Sequence, residues 1–84
     1  MDWKRELQKA VKEGRAVLGL KRTVKLLKRG VGKFVVIASS CPAKDDVKYY
    51  AKLCGIEAIE FEGDGYELGA MVKKPFSVSV VLVK

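Results

Sequence analysis

The 84-residue sequence predicts an α/β fold, a three-layer α/β/α sandwich around a four-stranded mixed sheet. Three observations carry that expectation. Helical and strand-like hydrophobic patterns alternate along the chain in the order αβαβαβαβ. Residues 33–39 hold an unbroken Phe-Val-Val-Ile-Ala run, the mark of a central strand covered on both faces, so helices must flank the sheet. A chain of this length suits one domain, residues 1–84, and its 49% hydrophobic content with only two prolines excludes a disordered basic tail.

Each element has its own signature. Trp3, Leu7, Ala10 and Val11 fall at i, i+4, i+7 and i+8, which makes residues 2–13 an amphipathic helix with Asp2 as N-cap and Gly14 as its stop. Ala16–Leu18 is an apolar run closed by Gly19, too short for a helix and suited to a buried strand. Over residues 20–29, Val24 and Leu27 take helical spacing, continued by Val31, while Lys21, Lys25 and Lys28 share another face; Gly30 ends this basic helix. After the central strand, Pro42 and the pair Asp45-Asp46 start a third helix near residue 43. Its apolar positions are Val47, Tyr50, Ala51 and Cys54, which places Cys54 in the core, and Gly55 closes it. Residues 56–61 read as a strand, Gly63-Asp64-Gly65 as a turn, 66–72 as a short helix and 76–83 as the last strand.

Charge is unevenly placed. Residues 1–33 carry 11 basic side chains against three acidic ones, a net +8, whereas residues 34–84 carry six against seven. Crowding the excess into one third of a compact domain makes a directional field that attracts a polyanion: RNA, DNA or anionic lipid. A lysine-rich soluble surface, common in proteins from hot environments, is the competing explanation. Cys41 and Cys54 are too few for a disulfide framework and, without histidine, cannot complete a zinc site, so reduced thiols and no metal are expected. The opening Met1-Asp2-Trp3-Lys4-Arg5-Glu6 has no apolar run behind its charges, and the stretch 34–38 is far below the roughly 20 residues that cross a bilayer. A cytoplasmic protein without membrane contact is expected.

Catalytic chemistry finds few residues to use. There is no histidine, no GxSxG, no CxxC and no Walker motif, so neither enzymatic activity nor a cofactor is expected. Cys41 precedes a helix start that would favour a thiolate, but no base accompanies it and a packing role is the simpler reading. The Gly63-Asp64-Gly65 cluster by itself is a turn more readily than a phosphate cradle. The richer constellation is Gly19-Leu20-Lys21-Arg22-Thr23-Val24-Lys25. A glycine there leads from a strand directly into a helix whose first turn offers free N–H groups beside cations, an arrangement suited to phosphates, with a solvated helix face as the alternative.

The segments GRAVLGLKRTVKLLKRG (14–30), KFVVIASSCP (33–42), VKYYAKLCGI (47–56) and FEGDGYELGAMV (61–72) resemble, in register, the archaeal and eukaryotic L-thirty ribosomal proteins. These belong to the L-seven-Ae superfamily of kink-turn RNA binders, and Tyr49-Tyr50-Ala51 with Glu67-Leu68-Gly69 favours L-thirty over its relatives. The resemblance implies a component of the large ribosomal subunit that binds a sharply bent internal loop in ribosomal RNA. Three loops at one end of the sandwich would enter the RNA groove. The first is residues 19–25, with Gly19, Lys21, Arg22, Thr23 and Lys25 as contacts and Lys28 further along the helix. The second is residues 38–44, with Ser39, Ser40, Cys41 and Lys44; Ser40 stands where the family usually has asparagine, so a hydroxyl replaces an amide. The third is residues 61–69. Here the resemblance implies that Phe61 stacks on a base, with a strand end packed in the core as the alternative, that Gly63 and Gly65 allow close backbone approach beside Asp64, and that Glu67-Leu68-Gly69 opens the short helix; Tyr66 faces RNA or, equally, covers the sheet edge as a helix residue.

The family usually continues past the last strand through an Asp-Pro-Gly segment, which this sequence lacks. That leaves open a stand-alone kink-turn binder outside the ribosome or a shortened or designed variant. A protein-interaction module on the same fold is a further alternative, less suited to a net charge of +7. The expected partners are ribosomal RNA and other ribosomal components, and the isolated protein is expected to be a monomer.

Overall fold

A computed structural model of the chain describes residues 3–84; the expected N-cap Asp2 lies outside them. The elements are α1 (Trp3–Lys12), β1 (Ala16–Leu18), α2 (Leu20–Lys28), β2 (Phe34–Ala38), α3 (Lys44–Leu53), β3 (Glu57–Phe61), α4 (Gly65–Met71) and β4 (Val80–Val83). They form one sheet in the order β1-β4-β2-β3. β2 and β3 run parallel, whereas β4 is antiparallel to both β1 and β2, so the sheet is mixed as expected.

The pleat of β2 divides the core into two layers. Phe34, Val36 and Ala38 meet Leu7 and Ala10 of α1, Leu68 of α4 and Val72 at the end of that helix. Val35 and Ile37, on the opposite face, meet Leu27 of α2 and Val47 and Ala51 of α3. All five residues of β2 are buried, which is why that stretch has no polar alternation. Fully burying an aliphatic side chain contributes about 1.5–3 kcal/mol, so the single buried Leu27 with half-buried Leu20, Val24 and Leu26 holds α2 against the sheet.

Two expectations are corrected. The last strand covers only Val80–Val83 rather than 76–83. Pro75 has no amide to give a ladder, and the Val78 amide donates to the Gly65 carbonyl at 2.8 Å instead of to a strand. Residues 73–79 therefore form a loop. Cys54 is exposed rather than core, because the inward stripe of α3 is Val47 and Ala51; its thiol donates to the Leu27 carbonyl at 2.9 Å.

Candidate nucleic-acid interface

Strand direction decides which loops meet. Since β1, β2 and β3 all point the same way and β4 points against them, the segments leaving the first three strands gather at one end with the segment entering the fourth. Hydrogen bonds tie them together. The Gly19 amide donates to the Val80 carbonyl at 3.2 Å, and the Ala38 amide to the Ser79 carbonyl at 2.8 Å. The Ser39 amide and hydroxyl both donate to the Gly63 carbonyl, at 3.1 and 3.0 Å, while the Gly65 amide donates to Ser40 Oγ at 3.1 Å. Among the described residues the Ser40 hydroxyl proton has no acceptor.

The start of α2 is chemically distinct at this end. Gly19 occupies its N-cap with φ 102° and ψ 146°, a left-handed conformation that L side chains rarely adopt. No side chain caps the helix and no acidic residue lies in its first turn, while Lys21, Arg22 and Lys25 are exposed. The amides of this first turn, the positive end of the helix dipole and the first-turn cations Lys21 and Arg22 make it electropositive, while Lys25 lies in the last turn. The start of α4 is the reverse: Asp64 accepts from the Glu67 amide at 3.0 Å and supplies its own negative charge.

The fold does not use all the sequence-derived candidates alike. Lys21, Arg22, Ser39, Ser40, Asp64, Tyr66 and Glu67 are exposed at or beside the loop end, with Gly19 and Gly63 half-buried between them. Thr23 turns inward and is fully buried, its hydroxyl oxygen without a hydrogen-bond partner among the described residues. Cys41 packs in the α2/α3 layer, and Gly65, Leu68 and Gly69 are buried, so these shape the loops rather than present side chains. Lys28 lies at the far end of α2 with its ammonium 5.2 Å from the Tyr50 ring centre, directed at α3. Lys44 lies 3.4 Å from Glu60, which Lys48 also engages, so part of its charge is already balanced.

Phe61 is half-buried and meets Trp3 edge-on, with ring centres 6.0 Å apart and planes at 90°. A second aromatic, absent from the sequence-based candidates, is Phe76 on the loop before β4, which is 53% exposed. The backbone there is closely held: a side chain at Gly69 would collide with the Phe76 carbonyl, a backbone atom that cannot swing aside. The alternation in Phe-Ser-Val-Ser-Val hid Phe76 inside an apparent strand, and the preceding Pro75 was the signal that could have freed it. Among the described residues, no three His, Cys, Asp or Glu cluster as a metal site, and no helix is long and apolar enough to cross a membrane.

Residues 1–84 match the description of the ribosomal protein L7Ae/L30e/S12e/Gadd45 family. The large ribosomal subunit protein eL30 of Methanothermobacter thermautotrophicus is 45% identical over 86 aligned positions, covering 100% of this chain and 88% of that protein. The eL30 of Methanocaldococcus jannaschii is also 45% identical, covering 99% and 77%, and that of Pyrobaculum calidifontis is 41% identical, covering 99% and 84%. Among solved structures, a Bacillus halodurans protein of unknown function superimposes with a TM-score of 0.84 at 20% identity, covering 99% of this chain and 84% of that one. The Giardia lamblia 15.5kD RNA binding protein superimposes with a TM-score of 0.76 at 16% identity, covering 92% and 66%; at these identities the likeness concerns the fold. With a match along its whole length and eL30 relatives above 40% identity, the chain belongs to the ribosomal protein L7Ae/L30e/S12e/Gadd45 family.

Proposed function

We propose that this protein is a structural RNA-binding component of the large ribosomal subunit, and that it recognises a kink-turn or related internal loop of ribosomal RNA through its loop end. The single observation that carries the reading is the uncapped, carboxylate-free start of α2, with Lys21 and Arg22 exposed beside the loops after β2 and β3. Family membership and the eL30 relatives support the ribosomal role, and the geometry supports the mode of binding.

The α2 amides and the Lys21 and Arg22 cations receive backbone phosphates, which positions the RNA without reading its sequence. Ser40 donates its hydroxyl proton to the RNA, and the hydrogen-bonded scaffold of Ser39, Gly63 and Gly65 holds that hydroxyl in place. Phe76 stacks on an unpaired base, which only a bent loop exposes; such stacking contributes about 1–3 kcal/mol per base. Phe61 supports the loop from behind through Trp3. The protein acts as a monomer in this reading, with its other partners drawn from the ribosome.

The test is titration of the purified protein against a labelled kink-turn RNA and a matched duplex, across a range of salt concentrations. Preference for the kinked RNA that persists at physiological salt is expected. Equal affinities that both fall steeply with salt would reduce the site to a non-specific basic surface.

A further inference from the structure

The two edges of the sheet are treated differently. At the β3 edge, Glu57 and Glu60 are exposed and Glu60 is engaged by Lys44 and Lys48, the charged cover that natural edges use against strand addition. At the β1 edge the strand is Ala16-Val17-Leu18, without charge or proline, and only half-buried.

The register shows which groups of β1 are unused. The Lys84 amide donates to the Arg15 carbonyl at 3.0 Å and the Gly19 amide to the Val80 carbonyl at 3.2 Å, so positions 15, 17 and 19 face β4. Ala16 and Leu18 therefore turn their N–H and C=O groups away from the sheet, and no backbone group of the described residues meets them. They open into a groove between the two helical layers, floored by Val11, Val17 and Leu26 and rimmed by Arg29, Lys74 and Lys84.

We propose that the β1 edge is a docking site for an acidic, extended segment of a partner protein, which adds to the sheet as a fifth strand. Strand addition uses main-chain hydrogen bonds for affinity and alternate side chains for specificity. Here the alternation is set by the groove: apolar side chains of the segment face the Val11, Val17 and Leu26 floor, and its carboxylates meet the Arg29, Lys74 and Lys84 rim. The apolar floor and the row of unpaired backbone groups favour a peptide over a nucleic-acid strand, whose phosphates would use the rim alone. This site is separate from the proposed RNA function, although Arg22 and Lys25 border both surfaces.

The probe is a capped eight-residue peptide of alternating Glu and Val, added to isotope-labelled full-length protein and followed by amide NMR. The Ala16 and Leu18 amides are expected to shift and to exchange more slowly. Ala16→Pro removes an outward donor while sparing the β4 ladder and should weaken binding at least tenfold. Should that variant fold poorly, Arg29→Glu combined with Lys84→Glu leaves the backbone intact and should weaken the peptide at least fivefold. Unmoved Ala16 and Leu18 amides would overturn the proposal. So would displacement of the peptide by oligouridylate, which would make the groove an RNA track. Protection of these amides that grows with protein concentration and excludes the peptide would instead assign the edge to a second copy of the chain, and would equally overturn it.

Discussion

Two helices begin at the same end of the sheet, and they begin in opposite ways. α2 starts at Gly19 with no side-chain cap and no carboxylate in its first turn, whereas α4 starts at Asp64, which accepts the Glu67 amide and brings its own negative charge. The first leaves its positive end for an external anion, and the second closes on itself. The anion site we propose at this end is therefore set by what a helix start leaves unsatisfied, and the first-turn cations Lys21 and Arg22 mark the same helix.

The strongest way to break this comparison is to reverse charge at the open start. Lys21→Glu with Arg22→Glu is expected to weaken kink-turn RNA binding by about a hundredfold and to lower the salt slope by about two, with thermal stability nearly unchanged because both residues are exposed. Next comes the aromatic pair, which sharpens the contrast between a free group and a committed one. Phe76→Ala should cost roughly 10- to 100-fold in affinity for the bent RNA and little for a duplex, as expected for a lost stack of about 1–3 kcal/mol. Phe61→Ala should register chiefly as a lower melting temperature, since that ring is packed against Trp3.

Gly19→Ala forces a side chain into the left-handed region and should destabilise the fold by about 1–3 kcal/mol in denaturant unfolding, although nothing crowds the added methyl. Asp64→Ala removes the cap of α4 and should cost about 1 kcal/mol of stability while leaving RNA affinity within twofold. An RNA loss at Asp64 exceeding that at Lys21 and Arg22 would invert the comparison.

The smallest effect lies at the opposite pole. The hydrogen bond from Arg15 holds the Glu13 carboxyl below its ordinary value of 4.5. A lowered carboxylate stabilises the folded state above its unfolded value and loses that contribution as pH falls through the folded one. Glu13→Gln should therefore flatten the acid limb slightly below about pH 4.5, and less so in salt, because the pair is exposed.

Most of the fold was legible in the residues. The β2 run announced a doubly covered strand, and the glycines at 14, 30 and 55 marked helix ends, where each has positive φ. The last strand and Cys54 were misplaced for one shared reason. Alternation and helical spacing report a pattern of side chains, while a proline at 75 and the end of α3 at Leu53, which leaves Cys54 as its cap, decide which of them the sheet receives. The sheet order, which brings residues 73–79 beside the other loops, depends on pairings between distant segments that no local pattern encodes. Phe76 is hidden from a local pattern on that account, and helical spacing alone does not reveal that α2 buries Thr23 or that the exposed Lys28 leans toward Tyr50.

The most direct test of the central claim is amide NMR mapping of a kink-turn RNA onto the protein. The largest shifts are expected at residues 20–23, at Ser39 and Ser40, and at Phe76, with the face of α3 silent. Shifts centred on Tyr49 and Leu53 of α3, with the start of α2 unmoved, would contradict it.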